Sequence, residues 1–306
     1  MISGKKITVL TVKQKAYLAL ATTSILWGTT WVASKIAVQG MPGLQVAGIR
    51  QLTGGLLLVG FFFFKGEQLP TAKQFLWLTG MAILMFAGSN GLATISLKYI
   101  PSGLGALIGA LYPLCVVIIE RIFYRNNKIG FTTFLGLFLG IGGIAIVFYD
   151  TAFHSHTDGF IWGILAAAGS MLTWSVATII IARRKIIMNA YNATGWQMLL
   201  GSAMLLIITG ITGNHVPLAT VPMATWWAII YLVTAGSVIA FAAFIYTMRH
   251  MEPAVAALYA YINPLVAIVT GTLLIGEKLT LTILIGSIVT LAGVYLVNQS
   301  MRKHLQ

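Results

Sequence analysis

Apolar runs of about 20 residues, one after another and parted only by short polar breaks, leave this chain few folds to adopt. They fall near residues 16–38, 44–64, 75–97, 102–123, 130–149, 160–182, 193–212, 225–248, 253–275 and 280–298. A run of about 20 apolar residues is what an α-helix needs to cross the hydrocarbon core of a bilayer. The composition agrees. Of 306 residues only 8% are charged and 58% are hydrophobic, whereas a soluble domain carries about 25% charge. That is too little charge to coat a water-facing surface, so lipid is the expected solvent. The expected class is an all-α membrane protein of ten transmembrane helices.

The net charge of +13 lies in short clusters between the runs and forms no basic stripe, which argues against a nucleic-acid partner. Its distribution orients the chain instead. With the N-terminus in the cytoplasm, Lys5, Lys6, Lys13, Lys15, Lys65, Lys73, Arg121, Arg125, Lys128, Arg183, Arg184, Lys185, Arg249, Arg302 and Lys303 all fall inside. Only Lys35, Arg50, Lys98 and Lys278 fall toward the outside. An even number of spans returns the C-terminus to the cytoplasm, as in a multi-pass protein of the cell (inner) membrane. The first run is too long for a signal-peptide core and lacks a small-x-small cleavage site, so it is expected to be retained. Cys115 is the single cysteine and lies inside an apolar run. It excludes an intrachain disulfide or a cysteine-built metal site and reads as a small packing residue. No cofactor is expected.

The chain repeats itself. Ala106, Leu107, Pro113 and Leu114 recur as Ala257, Leu258, Pro264 and Leu265, with Tyr112 on Asn263. Thr23 and Trp27 fall on Ser170 and Trp174, Gln51 and Gly55 on Gln197 and Gly201, and Gly136, Gly143 and Val147 on Gly286, Gly293 and Val297. The matches keep their order at a nearly constant offset, which reads as a five-plus-five duplication. Five is odd, so the second unit enters from the opposite face: an inverted repeat around a central cavity. The expected divisions are a cytoplasmic segment at 1–15, a first repeat at 16–149, an outer linker at 150–159, a second repeat at 160–298 and a cytoplasmic tail at 299–306. Two halves that exchange slightly different shapes would turn an outward opening into an inward one, with the substrate near the midplane.

Polar residues inside the spans mark candidate sites. Pro113 and Pro264 lack an N–H, so the carbonyls of Gly109 and Ala260 lose their usual donors. In hydrocarbon such a carbonyl costs several kcal/mol unless protein or a watery cavity covers it. The prolines are candidate hinges. Tyr259 and Asn263 share a helix face one turn apart, and two readings stand for them: a cavity wall, or a kink with Asn263 bonded to a neighbouring helix. Thr23, Trp27, Thr30 and Ser34 line one face of the first span, Ser170 and Trp174 begin the matching face of the sixth, and Asn90 and Thr94 share a face of the third. Interhelical hydrogen bonding and cavity lining both fit such residues. Arg50, about two turns into the second span, could snorkel outward, meet a carboxylate or a helix C-terminus, or contact substrate. Glu120 sits beside Arg121, and a local ion pair is the expected arrangement. Gly136 and Gly140 are spaced for close helix approach, either within the chain or in a homodimer.

Several stretches together carry a resemblance. They are "ILWGTTWVASKIAV", "GSNGLATISLKYIPSG", "ALYPLCVVIIERIF", "TGWQMLLGSAMLL" and "NPLVAIVTGTLLIGEKLTLTILIGSIVTLAGVYLV". In order and spacing the chain resembles the ten-helix EamA-type members of the drug/metabolite transporter superfamily. The resemblance implies two inverted five-helix repeats in a basket-like fold, cytoplasmic termini, and export of small metabolites such as amino acids. It implies a cavity lined by Trp27, Asn90, Tyr112, Trp174, Tyr246, Tyr259 and Asn263. One departure is the "YRNNKIG" of the first repeat, where such proteins often carry a "GE" like Gly276–Glu277.

The function expected on these grounds is alternating-access export of small neutral or zwitterionic metabolites. A receptor, scaffold or lipid scramblase is the competing class. A membrane enzyme fits less well, because His154, His156, His215, His250 and His304 lie at span ends or in loops, and no span holds a serine–histidine pair or paired aspartates. No Walker-type loop is present, so the chain is not expected to hydrolyse ATP. Proton-driven pumps usually keep ionisable groups inside their spans, and here only Glu120 and Asp150 come near one. Facilitated diffusion or exchange is therefore expected ahead of proton antiport.

Overall fold

In the computed structural model, residues 10–124, 130–154, 158–184, 186–251, 255 and 258–305 are described, and they form ten helices. These are α1 (Val12–Gly40), α2 (Gly43–Phe64), α3 (Ala72–Tyr99), α4 (in two pieces, Ser102–Gly109 and Tyr112–Tyr124), α5 (Phe131–His154), α6 (Phe160–Arg183), α7 (Ala190–Ile211), α8 (Met223–His250), α9 (Tyr259–Ile275) and α10 (Leu281–Leu305). Helices α2, α3, α4, α6, α7 and α8 are each long and apolar enough to cross a membrane, and α5, α9 and α10 carry shorter apolar stretches. The chain is a multi-pass membrane protein. At about 1.5 Å per residue α1 is also long enough to span, but its polar residues point inward: Thr23, Ser24, Thr30 and Ser34 are buried. Thr23 and Ser24 donate to the Ala19 and Leu20 carbonyls one turn back, at 2.9 and 2.7 Å, which satisfies hydroxyls that have no water to meet. Large apolar side chains such as Leu57, Phe64, Leu76, Phe134, Trp162 and Leu273 are exposed instead. In lipid that exposure costs nothing, so cohesion comes from close packing and interhelical hydrogen bonds.

Helix ends fall a few residues outside the expected limits, for local reasons. Before both α1 and α3 the chain reads T-x-K-Q, and Thr11 with Gln14 and Thr71 with Gln74 form reciprocal capping boxes. Beyond residue 298 neither glycine nor proline stops α10. The expected start of the ninth span at 253 lies outside the described residues. Helix α9 ends on Gly276 in the left-handed region, at φ 67°, a conformation that glycine tolerates without a Cβ penalty. The turn delivers Glu277 to the N-terminus of α4, where its carboxylate accepts from Ser102 N (2.6 Å) and Ser102 Oγ (2.8 Å). The "GE" pair thus has a structural task, tying the α9–α10 turn to the start of α4.

The halves pack in matching ways. Helix α1 lies against α8 and α9, and α6 lies against α3 and α4. The corresponding helices α2 and α7 pack on each other, as do α5 and α10. The α5–α10 crossing is so close that a Cβ on Gly136 would sit 2.7 Å from the Gly293 carbonyl oxygen, and one on Gly286 2.7 Å from that of Gly143. The glycine face of α5 is therefore covered by α10 of the same chain. Each half also holds one eight-residue π-helical segment, Ile83–Asn90 in α3 and Leu232–Ile239 in α8, which the sequence reading does not anticipate.

Candidate functional site

A cavity of about 160 Å³ lies among α1, α2, α3, α4, α6, α8 and α9. Of the residues singled out in the sequence, Trp27, Arg50, Asn90, Tyr112, Trp174, Tyr259 and Asn263 all line it. Ser34, Thr94 and Ser170, from the polar faces read in the spans, line it too. Trp31 and Phe241, which the sequence reading passed over, complete the aromatic wall. Trp31 follows Trp27 by one turn, so the face read on α1 already contained it.

Tyr246 does not join this wall. Phe244 packs on Trp27 with ring centroids 4.9 Å apart, and Tyr246, two residues on, lies about 200° round the helix. It stacks on His250 instead, at 4.1 Å.

Trp27 is the hub of the aromatic cluster. Its ring meets Phe241 at 5.0 Å, Tyr259 at 5.3 Å and Trp174 at 6.3 Å, all three edge-on. Its Nε1 donates to the Gly236 carbonyl at 3.2 Å, inside the π segment of α8. Tyr112 stacks on Tyr259 at 6.3 Å. Each such pair contributes about 0.5–1.5 kcal/mol beyond the area it buries. A second cavity of about 510 Å³ lies on the side where α1 begins, with Arg184, Arg249, Thr194 and Gln197 in its wall. Tyr112, Trp174, Phe241 and Tyr259 line both cavities. These four side chains are the partition between them.

The irregularities of backbone sit two or three residues before Pro113 and six before Pro264. Helix α4 is interrupted at Ala110–Leu111, so Pro113 falls in the first turn of the second piece, where no N–H is required of it. Gly109 and Ala110 border the cavity, and Ser175 of α6 donates to the Tyr112 carbonyl at 3.2 Å. Helix α9 runs through Pro264, with a turn at Leu258. Ala260 lines the cavity, and the Oδ1 of Asn263 is buried without a hydrogen-bond partner. Glu120 pairs with Arg183 of α6 at 3.1 Å rather than with adjacent Arg121. Both partners are partly exposed, so the pair adds little to stability.

Comparison with known proteins decides the family. The model of the EamA-like transporter family matches the chain twice, over residues 14–149 and 161–299. The chain belongs to the EamA-like transporter family. The two matches fall on the two halves whose packing is described above, and they make the chain a membrane transporter. Among relatives of this family, the uncharacterized inner membrane transporter YedA of Escherichia coli (strain K12) is 30% identical, covering 86% of this chain and 83% of its own. The uncharacterized transporter YvbV of Bacillus subtilis (strain 168) is 28% identical, covering 94% and 92%. A protein chain solved by crystallography superposes with a TM-score of 0.66, covering 92% of this chain and 97% of that one. At 18% identity that likeness speaks to the fold alone.

Proposed function

We propose that this chain exports small neutral or zwitterionic metabolites, amino acids among them, across the inner membrane by alternating access. The observation that carries the reading is the partitioned pair of cavities: a polar and aromatic chamber, an aromatic layer, and a wider vestibule beyond it. A solute would rest against Trp27 and Tyr259, and movement of the aromatic layer would connect its chamber to one side at a time. The two halves act in this reading as inverted repeats; the matched pairings of α1 with α8 and α9 and of α6 with α3 and α4 support it. The excess of lysine and arginine at one set of span ends supports cytoplasmic termini, and the vestibule then faces the cytoplasm. An inner-membrane location is supported by the name of the YedA relative.

Among the described residues the wall of the chamber contains no acidic side chain, which supports facilitated diffusion or exchange over obligate proton antiport. The test is flux in reconstituted vesicles across a metabolite panel, with and without a pH gradient. Saturable movement of a small solute without a gradient is expected. A flat response across the panel, or lipid scrambling without solute flux, would replace the reading with the scramblase or scaffold class. Uphill flux abolished by collapsing the gradient would replace passive transport with proton coupling.

A further inference from the structure

The most unusual group in the molecule is a buried arginine without an acid. Arg50 lies eight residues into α2, about 10 Å from that helix end at 1.5 Å per residue, and only 7% of its surface is exposed. Its Nε donates to Ser237 Oγ of α8 at 3.0 Å, and no carboxylate meets its guanidinium among the described residues. Gly236 makes room for it, since a Cβ there would lie 2.8 Å from Arg50 Nη2. The snorkelling reading fails because Arg50 lines the chamber rather than reaching an interface. A buried charge is costly unless it is paired and hydrogen-bonded. One neutral hydroxyl is a poor counterpart for a full positive charge.

We propose that the two Nη groups of Arg50 form the binding site for a solute's carboxylate. This rests on the transporter reading and narrows it: the solute carries an acid group and is not merely neutral. The guanidinium fork matches a carboxylate geometrically, with two parallel N–H···O bonds. Nε is already held by Ser237, so the end of the fork remains for the ligand. Among the described residues Arg50 is the sole lysine, arginine or histidine in the chamber wall, which suits a single negative charge better than a phosphate dianion. The aromatic wall of Trp27, Trp31 and Tyr259 then receives the rest of the solute. In the α-amino acid case this wall also offers ring faces to the ammonium group. Ser237 acts as a positioning residue, holding the guanidinium plane toward the chamber.

The experiment uses the full chain in lipid nanodiscs, with tryptophan fluorescence as the readout, because Trp27, Trp31 and Trp174 line the chamber. The probes are L-leucine, L-phenylalanine and L-threonine, each beside its carboxamide, with inorganic phosphate and chloride as competing anions. At least one acid is expected to bind, and its amide at least tenfold more weakly. In Arg50→Gln the two should bind within threefold of each other, and Arg50→Lys should restore part of the difference. Ser237→Ala should reduce the preference for the acid without abolishing it. The comparison of acid and amide in the unaltered protein does not depend on how any variant folds. Equal binding of acid and amide, no binding of any acid, or tighter binding of phosphate than of the acids would each overturn the proposal. Vesicle flux of an uncharged or cationic solute in the same preparations would leave the transporter reading standing while the carboxylate site fell. Absence of flux for every solute would remove both.

Discussion

Individual residues show how polar chemistry is maintained inside lipid. Most buried hydroxyls bond to a carbonyl one turn back on their own helix, as Thr23, Ser24 and Thr209 do. Asn263 does not, and its Oδ1 is buried and unpartnered. An unmade hydrogen bond of this kind costs about 1–3 kcal/mol. Its retention beside the chamber is what a binding role would require. Asn263→Leu is therefore expected to raise the unfolding free energy by about 1 kcal/mol while lowering solute flux at least several-fold. Thermal unfolding in detergent and vesicle flux on the same samples would check it, and loss of stability together with unchanged flux would contradict it. Glu277 makes the opposite case. Its carboxylate caps α4 through two short bonds, so Glu277→Ala should destabilise the protein by about 1–3 kcal/mol. The loss should leave ligand affinity within a few-fold, because Glu277 lies outside the chamber wall. Much at this scale was legible. Arg50, Trp27, Tyr259 and Asn263 stood out in the sequence because a polar or bulky group inside an apolar run has to be accounted for. Phe241 was hidden because phenylalanine inside an apolar run looks like any lipid-facing residue.

Among elements, the clearest physical statement is the α5–α10 crossing. Small residues let two backbones approach where the hydrophobic effect gives no drive between helices. Gly143 lies against Thr290, and a Cβ there would collide with the Thr290 backbone N as well as its hydroxyl. For Gly142, one position earlier, an added Cβ would have nothing within 4 Å. Gly143→Leu is expected to cost more than about 3 kcal/mol, because a fixed backbone has to move. Gly142→Leu should be nearly neutral. Thermal unfolding of both variants in nanodiscs would test the pair, and equal losses would show that α5 does not pack as described. The repeated glycines, Gly136 with Gly286 and Gly143 with Gly293, made this crossing partly readable as a pattern, though not its partner. The two π segments were not readable. An i→i+5 bond leaves no signature in composition, yet the segment in α8 supplies the Gly236 carbonyl that accepts from Trp27. Tyr246, chosen by resemblance, stacks on His250 and is not in the chamber wall.

At the scale of the whole molecule, two cavities meet at a shared aromatic layer. The chamber and the vestibule share Tyr112, Trp174, Phe241 and Tyr259, and Trp27 holds this layer through three ring contacts and one hydrogen bond. The number and order of the spans came directly from hydropathy. The aromatic layer did not, because it is assembled from side chains of five helices that are distant in sequence. Its consequence is measurable with single cysteines, after Cys115→Ser removes the native thiol. Thr194→Cys in the vestibule should react with a membrane-impermeant maleimide from the side where α1 begins. Ser34→Cys, in the chamber beyond the partition, should be protected from that side. Adding Trp27→Ala removes the hub ring and its hydrogen bond to α8, so Trp174, Phe241 and Tyr259 lose their common neighbour. Labelling of Ser34→Cys from the vestibule side should then rise at least tenfold, while Thr194→Cys is unchanged. Equal reaction of Ser34→Cys from both sides before Trp27 is altered would mean that the aromatic layer is no barrier. An increase confined to Thr194→Cys would mean that Trp27 shapes the vestibule rather than the partition.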